Sequence, residues 1–227
     1  VDLSGADLTN AKLFGTILKS ADMSNSILIN ADLSGANLYE TNLENANLDG
    51  ATLRHAYAYK TNLLNANWNN VDISQTNFCG GELENQHFFG ADLSGADLSR
   101  SNLFQVNLTN SVLIETDLRK AFLRNSDLSS NNLSGALLSQ ANLSDVDLSN
   151  SILIGADLRN ATLKGANLDN ADLSNALLHG VDLTDVSTLG TDFTNVDYTT
   201  ELPINDSSKI NIEIDLLRED LSGQVFS

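Results

Sequence analysis

The chain has 227 residues, 41% of them hydrophobic, with one cysteine, one proline and a formal net charge of −18. Such acidity argues against binding to nucleic acid or an anionic membrane, and a lone cysteine, Cys79, allows no internal disulfide. No apolar run is long enough for a membrane-spanning helix and no basic-then-apolar leader opens the chain, so the cytoplasm is the default compartment, with a removed leader left open.

From Val1 onward the chain divides into pentapeptides without a slip of frame. Over residues 1–200 the third position is leucine in 31 units and the second is Asp or Asn in 26. The first position is Ala, Ser, Thr, Val or Gly except at Gln86 and Asn131, and the third is large and apolar except at Ala58 and Thr188. A helix cannot carry this pattern, because five residues turn it by roughly 500° and each leucine would move about 140° around the axis. One long strand cannot either, since side chains five apart point to opposite faces. Within a unit, however, residues one and three share a face. The small residue and the leucine therefore point inward on a short extended segment, and the Asp or Asn between them points to water. The last two positions, rich in Ser, Gly, Asn and Asp, reverse the chain. A chain that bends the same way every five residues winds into an all-β solenoid.

Runs such as Ala31-Asp32-Leu33-Ser34-Gly35 and Ala166-Asn167-Leu168-Asp169-Asn170 resemble the A(D/N)LXX signature of the pentapeptide-repeat family. The resemblance covers residues 1–200 and is similar to the leucine-centred repeats abundant in cyanobacteria. It implies a right-handed quadrilateral β-helix of about ten four-sided coils, four pentapeptides to a coil, with residues 201–227 as a separate C-terminal cap.

With a twenty-residue coil, Trp68 and Phe88 stack on one wall and Ala58 lies one coil from Phe78, so oversized and undersized residues share volume. Gln86 is the odd inward residue, and residues 56–90 are where distortion or a protruding loop is expected. Asn131 lies between Ser111 and Ser151, whose hydroxyls are its expected partners. After Pro203, Ile210, Ile214, Leu217 and Leu221 recur at helical spacing, with Ser207 or Ser208 as N-cap. This stripe is expected to cap the last coil. It is also a candidate dimer contact, since the resemblance implies association through C-terminal ends. At the other end Val1 and Asp2 leave the first coil bare, to be covered by a preceding segment or a neighbour.

No residues converge on chemistry. His55, His87 and His179 fall at three different unit positions and do not stack, so no catalytic residue, metal or cofactor is expected. Recognition of a protein is the leading expectation, with Tyr39, Tyr57, Tyr59 and Lys60 as the candidate contact patch. The alternative is implied by the resemblance: an acidic rod that imitates DNA and binds gyrase, as inhibitor or protector against quinolones. Residues 1–200 hold 24 acids and 10 bases. Over ten coils at about 4.8 Å this is about one net charge per 3.4 Å, half the linear density of duplex DNA at roughly 1.7 Å. Arg119, Lys120, Arg124, Arg159 and Lys164 are expected to form one locally basic region.

Overall fold

The computed structural model describes residues 1–198, and the stripe Ile210, Ile214, Leu217 and Leu221 lies outside the described residues. Among those described no helix occurs. Each unit is a three-residue extended segment followed by a two-residue turn, from Val1 to Tyr198 without interruption. Parallel bridges join second positions twenty residues apart, as in Asp2↔Asp22, Asp7↔Ile27, Lys12↔Asp32 and Ile17↔Asn37. Four units therefore complete a coil and define four walls, whose first units begin at Val1, Ala6, Ala11 and Thr16. The pairing consists of single-residue bridges rather than continuous strands, because turns on both sides leave only the middle residue of each segment free to pair in both directions. Thr52 is typical: it bridges Asp32 in the coil before and Asp72 in the coil after, with its own N–H donating back to the Ala31 carbonyl at 2.9 Å and its carbonyl accepting from the Leu33 N–H at 2.7 Å.

The corners explain the fifth position. Every fifth residue from Gly5 to Asn195 has a positive φ, between 53° and 76°. The third-position carbonyl accepts the N–H of the next unit's first residue, as between Leu28 and Ala31 at 2.9 Å. A turn closed in this way, with positive φ only at its third residue, is type II. No β-branched residue stands at any fifth position over this range, as that backbone demands. The second position has a role beyond facing water. Its side-chain oxygen bends back to accept the N–H two residues on, as Asp22 does from Ser24 at 3.0 Å and Asn47 from Asp49 at 3.1 Å. This local bond satisfies a turn amide that the ladder leaves over, which is why Asp and Asn recur there.

First and third positions fill a narrow column of buried leucine and alanine. Each fully buried leucine contributes roughly 1.5–3 kcal/mol. Inward hydroxyls are satisfied by backbone carbonyls, either of the preceding coil, as Thr41, Thr76 and Thr116 donate to Leu18, Leu53 and Leu93, or of their own corner, as Ser26 donates to Met23. Asn131 follows the same rule, not the expected hydroxyl pairing. Its amide nitrogen donates to the Leu108 carbonyl at 2.7 Å and its oxygen accepts the Ser111 backbone N–H at 2.9 Å.

Distortion falls in the expected stretch, but no loop protrudes. Asn62 pairs with Asn42 and Asn67 with Asn47, yet among the described residues neither pairs onward to Glu82 or His87. Trp68 and Phe88 lie in successive coils at this opening with ring centroids 5.4 Å apart, and Phe78 meets the Trp68 edge at 6.0 Å. Rings wider than leucine force the coils apart on two walls, while Ala58 makes room on the adjoining one. Trp68 Nε1 is buried without a hydrogen-bond partner, and Gln86 is buried beside this seam at 6% exposure.

Candidate functional site

The twenty-residue register gathers the predicted tyrosines. Tyr39 and Tyr59 occupy the fourth position of successive coils on the fourth wall, tied through the Glu40 N–H, which donates to the Tyr59 carbonyl at 3.2 Å. Tyr57 projects from the second position of the same wall and is 43% exposed. The three rings stack on one another, with centroids 5.9 Å apart for Tyr39 and Tyr59, 6.2 Å for Tyr39 and Tyr57, and 6.4 Å for Tyr57 and Tyr59. Lys60 lies over both Tyr59 and Tyr39, at 5.6 and 5.9 Å from the centroids, and reaches Glu40 at 3.9 Å. Lys19 sits over Tyr39 at 4.7 Å. Sequence reasoning passed over Lys19 and Glu40. The signal was present, since Lys19 precedes Tyr39 by one coil of twenty. A hydrogen bond with Glu40 holds the Tyr39 phenol above its ordinary pKa, and Glu40's negative charge adds to the effect.

The expected basic region is divided. Arg119, Lys120 and Arg159 belong to the corner that carries Tyr39 and Tyr59, where the Arg100 N–H donates to the Arg119 carbonyl and the Gln140 N–H to the Arg159 carbonyl. Arg124 and Lys164 lie on the next corner, with their carbonyls bonded to Gln105 and Asp145. Residues five apart in sequence turn a corner, so proximity in sequence did not translate into one surface. Two arginines fold back on their own wall. Arg119 meets Asp117 at 2.5 Å and Arg159 meets Asp157 at 2.7 Å. The Arg159 hydrogen bond holds the Asp157 carboxyl below its usual range against the opposing effect of burial. At Asp117 burial is the largest influence and raises the pKa, but the Arg119 contacts together outweigh it.

Asn102 donates to both Glu82 and Glu84, at 3.1 and 3.3 Å, beside a shallow groove that Arg100, Phe104 and Phe122 also line. Cys79 is half-buried and accepts a hydrogen bond from the Ser99 hydroxyl at 3.4 Å. Among the described residues no group of three His, Cys, Asp or Glu side chains is placed to hold a metal ion.

Solved structures with a similar fold include HetL from the cyanobacterium Nostoc sp. strain PCC 7120, a pentapeptide repeat protein involved in heterocyst differentiation regulation. It is 27% identical, with 85% of this chain and 86% of HetL covered and a TM-score of 0.55. A pentapeptide repeat protein of the Arabidopsis thaliana thylakoid lumen is 28% identical over 55% of this chain and 72% of its own, at a TM-score of 0.35. The plasmid-mediated fluoroquinolone resistance protein QnrB1 is 18% identical over 100% of this chain and 99% of its own, at a TM-score of 0.40. No curated protein matches the chain in sequence. Pentapeptide repeats match in 8 copies, over residues 1–28, 36–75, 66–103, 107–145 and 141–180, and the chain belongs to the pentapeptide repeat family.

Proposed function

We propose that this protein is a noncatalytic scaffold that presents a rigid surface to a protein partner. The observation that carries this reading is the surface stack of Tyr39, Tyr57 and Tyr59, with Tyr57 exposed, Tyr39 and Tyr59 half-buried, and Lys19 and Lys60 over its rings. Aromatic and cationic side chains held on a hydrogen-bonded ladder lose little freedom on binding, and such residues dominate contact energies. The proposed framework is a right-handed quadrilateral β-helix of about ten coils. The test is partner capture by the purified protein. Alanine or arginine at Tyr39 and Tyr59 abolishes capture while the circular dichroism of the solenoid is kept; unchanged capture removes the patch from consideration.

A second reading, a DNA-imitating ligand of a type II topoisomerase, is favoured by stacked carboxylates. Asp72 bridges to Asp92, Asp97 to Asp117 and Asp127 to Asp147, giving acidic columns along the rod. Titration of the protein into a gyrase supercoiling assay, with and without a quinolone, tests it. Inhibition or drug protection that weakens with salt supports this reading, and no effect at large molar excess rejects it.

A further inference from the structure

The charges of this acidic rod are sorted by corner. Lys19, Lys60, Arg100, Arg119, Lys120 and Arg159 all stand at the fourth or fifth position of the fourth wall, where Glu40 is the one acid at those positions among the described residues. The other three corners together hold Arg54, Arg124 and Lys164 against seven acids. The corner is a hydrogen-bonded ladder in two stretches, Ser20 to Tyr39 and Glu40 to Tyr59, then Gly80 to Ser99, Arg100 to Arg119, Lys120 to Ser139 and Gln140 to Arg159, with no such bond from Lys60 to Cys79 between them. Its cations form two files one residue apart, each spaced by whole coils: Lys19, Arg119 and Arg159 at the fourth position, and Lys60, Arg100 and Lys120 at the fifth. From Lys19 to Arg159 is seven coil steps, or about 34 Å at roughly 4.8 Å each, which an extended peptide of about ten residues spans. Lys19, Arg100 and Lys120 are exposed and have no carboxylate partner among the described residues.

We infer that this edge is a docking strip for an extended acidic segment of a partner protein, laid parallel to the solenoid axis with Tyr39 and Tyr59 as its apolar anchor. The inference rests on the scaffold reading and names the chemistry of its partner. Width selects a thin occupant. Carboxylates flank the edge on both sides, Asp97, Asp117 and Asp157 on the fourth wall and Asp22, Glu82 and Asp182 on the first. A duplex or the acidic wall of a second copy would press its own negative charge against these flanks. A single extended acidic chain touches the edge alone, where its charges are complementary.

The experiment measures fluorescence anisotropy of a labelled deca-glutamate peptide titrated with the full chain. Binding is expected at about 50 mM salt, weakening roughly tenfold or more by about 300 mM. The triple variant Lys60→Glu, Arg100→Glu, Lys120→Glu keeps both arginine–aspartate pairs and is expected to lose at least tenfold in affinity. The triple variant Lys12→Glu, Arg54→Glu, Lys164→Glu changes the net charge equally elsewhere and is expected to bind as the parent does. The inference is overturned by absence of binding, by equal losses in both variants, by tighter binding of a labelled DNA duplex than of the peptide, or by sedimentation showing self-association that the first triple variant abolishes. Its failure is separable from that of the scaffold reading: capture that depends on Tyr39 and Tyr59 but not on the edge cations overturns the acidic strip and leaves the scaffold standing.

Discussion

The inward amide of Asn131 braces the corner beneath it, where the Ser111 N–H already donates to the Leu108 carbonyl at 3.1 Å, by accepting the same N–H at 2.9 Å while donating to the same carbonyl at 2.7 Å. A single buried side chain thereby serves a donor and an acceptor of one turn. Asn131→Ala removes both side-chain bonds in a site that is 1% exposed while the Ser111 to Leu108 backbone bond remains, and a loss of about 0.5–1.5 kcal/mol for each bond is expected in denaturant unfolding. Asn131→Thr, which restores the donor seen at Thr76 and Thr116, is expected to recover part of that loss.

Hydrogen exchange is expected to locate the seam around Trp68. The backbone N–H groups of Leu63, Trp68, Glu82 and His87 have no ladder bond, whereas the equivalent groups of Leu43, Leu48, Asn102 and Asn107 do. The first four exchange faster, and protection rises on either side of the seam. Uniform protection through residues 61–90 would contradict the opening.

Acid unfolding follows from the carboxylates. Hydrogen bonds from the residue two positions on hold Asp2, Asp7, Asp22, Asp32 and Asp182 below the ordinary value of 3.8, and Arg159 does the same for Asp157. Folded-state values lie below the unfolded one, so their stabilisation is complete above the unfolded value and is lost as pH falls through the folded values. The unfolding midpoint is expected to stay level above about pH 5 and to drop steeply below about pH 4. Asp157→Asn keeps the amide-accepting oxygen but removes one titrating group, and the drop becomes shallower.

Corner residues are expected to respond to backbone conformation more than to polarity. Asn150 has a φ of 57°. Asn150→Val is expected to cost about 1–2 kcal/mol, because a β-branched side chain crowds the left-handed backbone, while Asn150→Gly is expected to be close to neutral. Equal tolerance of both changes in thermal unfolding would show that the corner can relax.

The tyrosine stack carries a spectroscopic prediction. Glu40 holds Tyr39 above the ordinary phenol value of 10.0, so Glu40→Gln is expected to move one tyrosine titration downward. Followed by phenolate absorbance, an unchanged titration would break the link between Glu40 and Tyr39.

The architecture was legible from the repeat because period five leaves only one economical solution: two residues buried, one facing out and two turning. The aromatic sharing of Trp68, Phe78, Phe88 and Ala58 could be read in the same way once four units made a coil. Lys19 over Tyr39 followed from that register too, but the grouping of Arg119 with Arg124 did not, since one pentapeptide step carries the chain around a corner. The bends of Asp22 onto Ser24 and of Asn131 onto Ser111 were hidden for another reason. Composition records that a side chain can accept or donate, not which neighbouring backbone group lacks a partner.

By itself, then, the sequence determined the unit, the buried column and the places where volume departs from leucine, because these follow from periodicity and side-chain size. Only the tertiary structure decided which side chains make contact across that register and where the ladder fails, and so produced the ring-to-ring contacts of the tyrosines, the opened seam and the division of the basic residues between two corners. Those depend on side-chain reach and on through-space distance between coils about 4.8 Å apart, which the repeat pattern alone does not record.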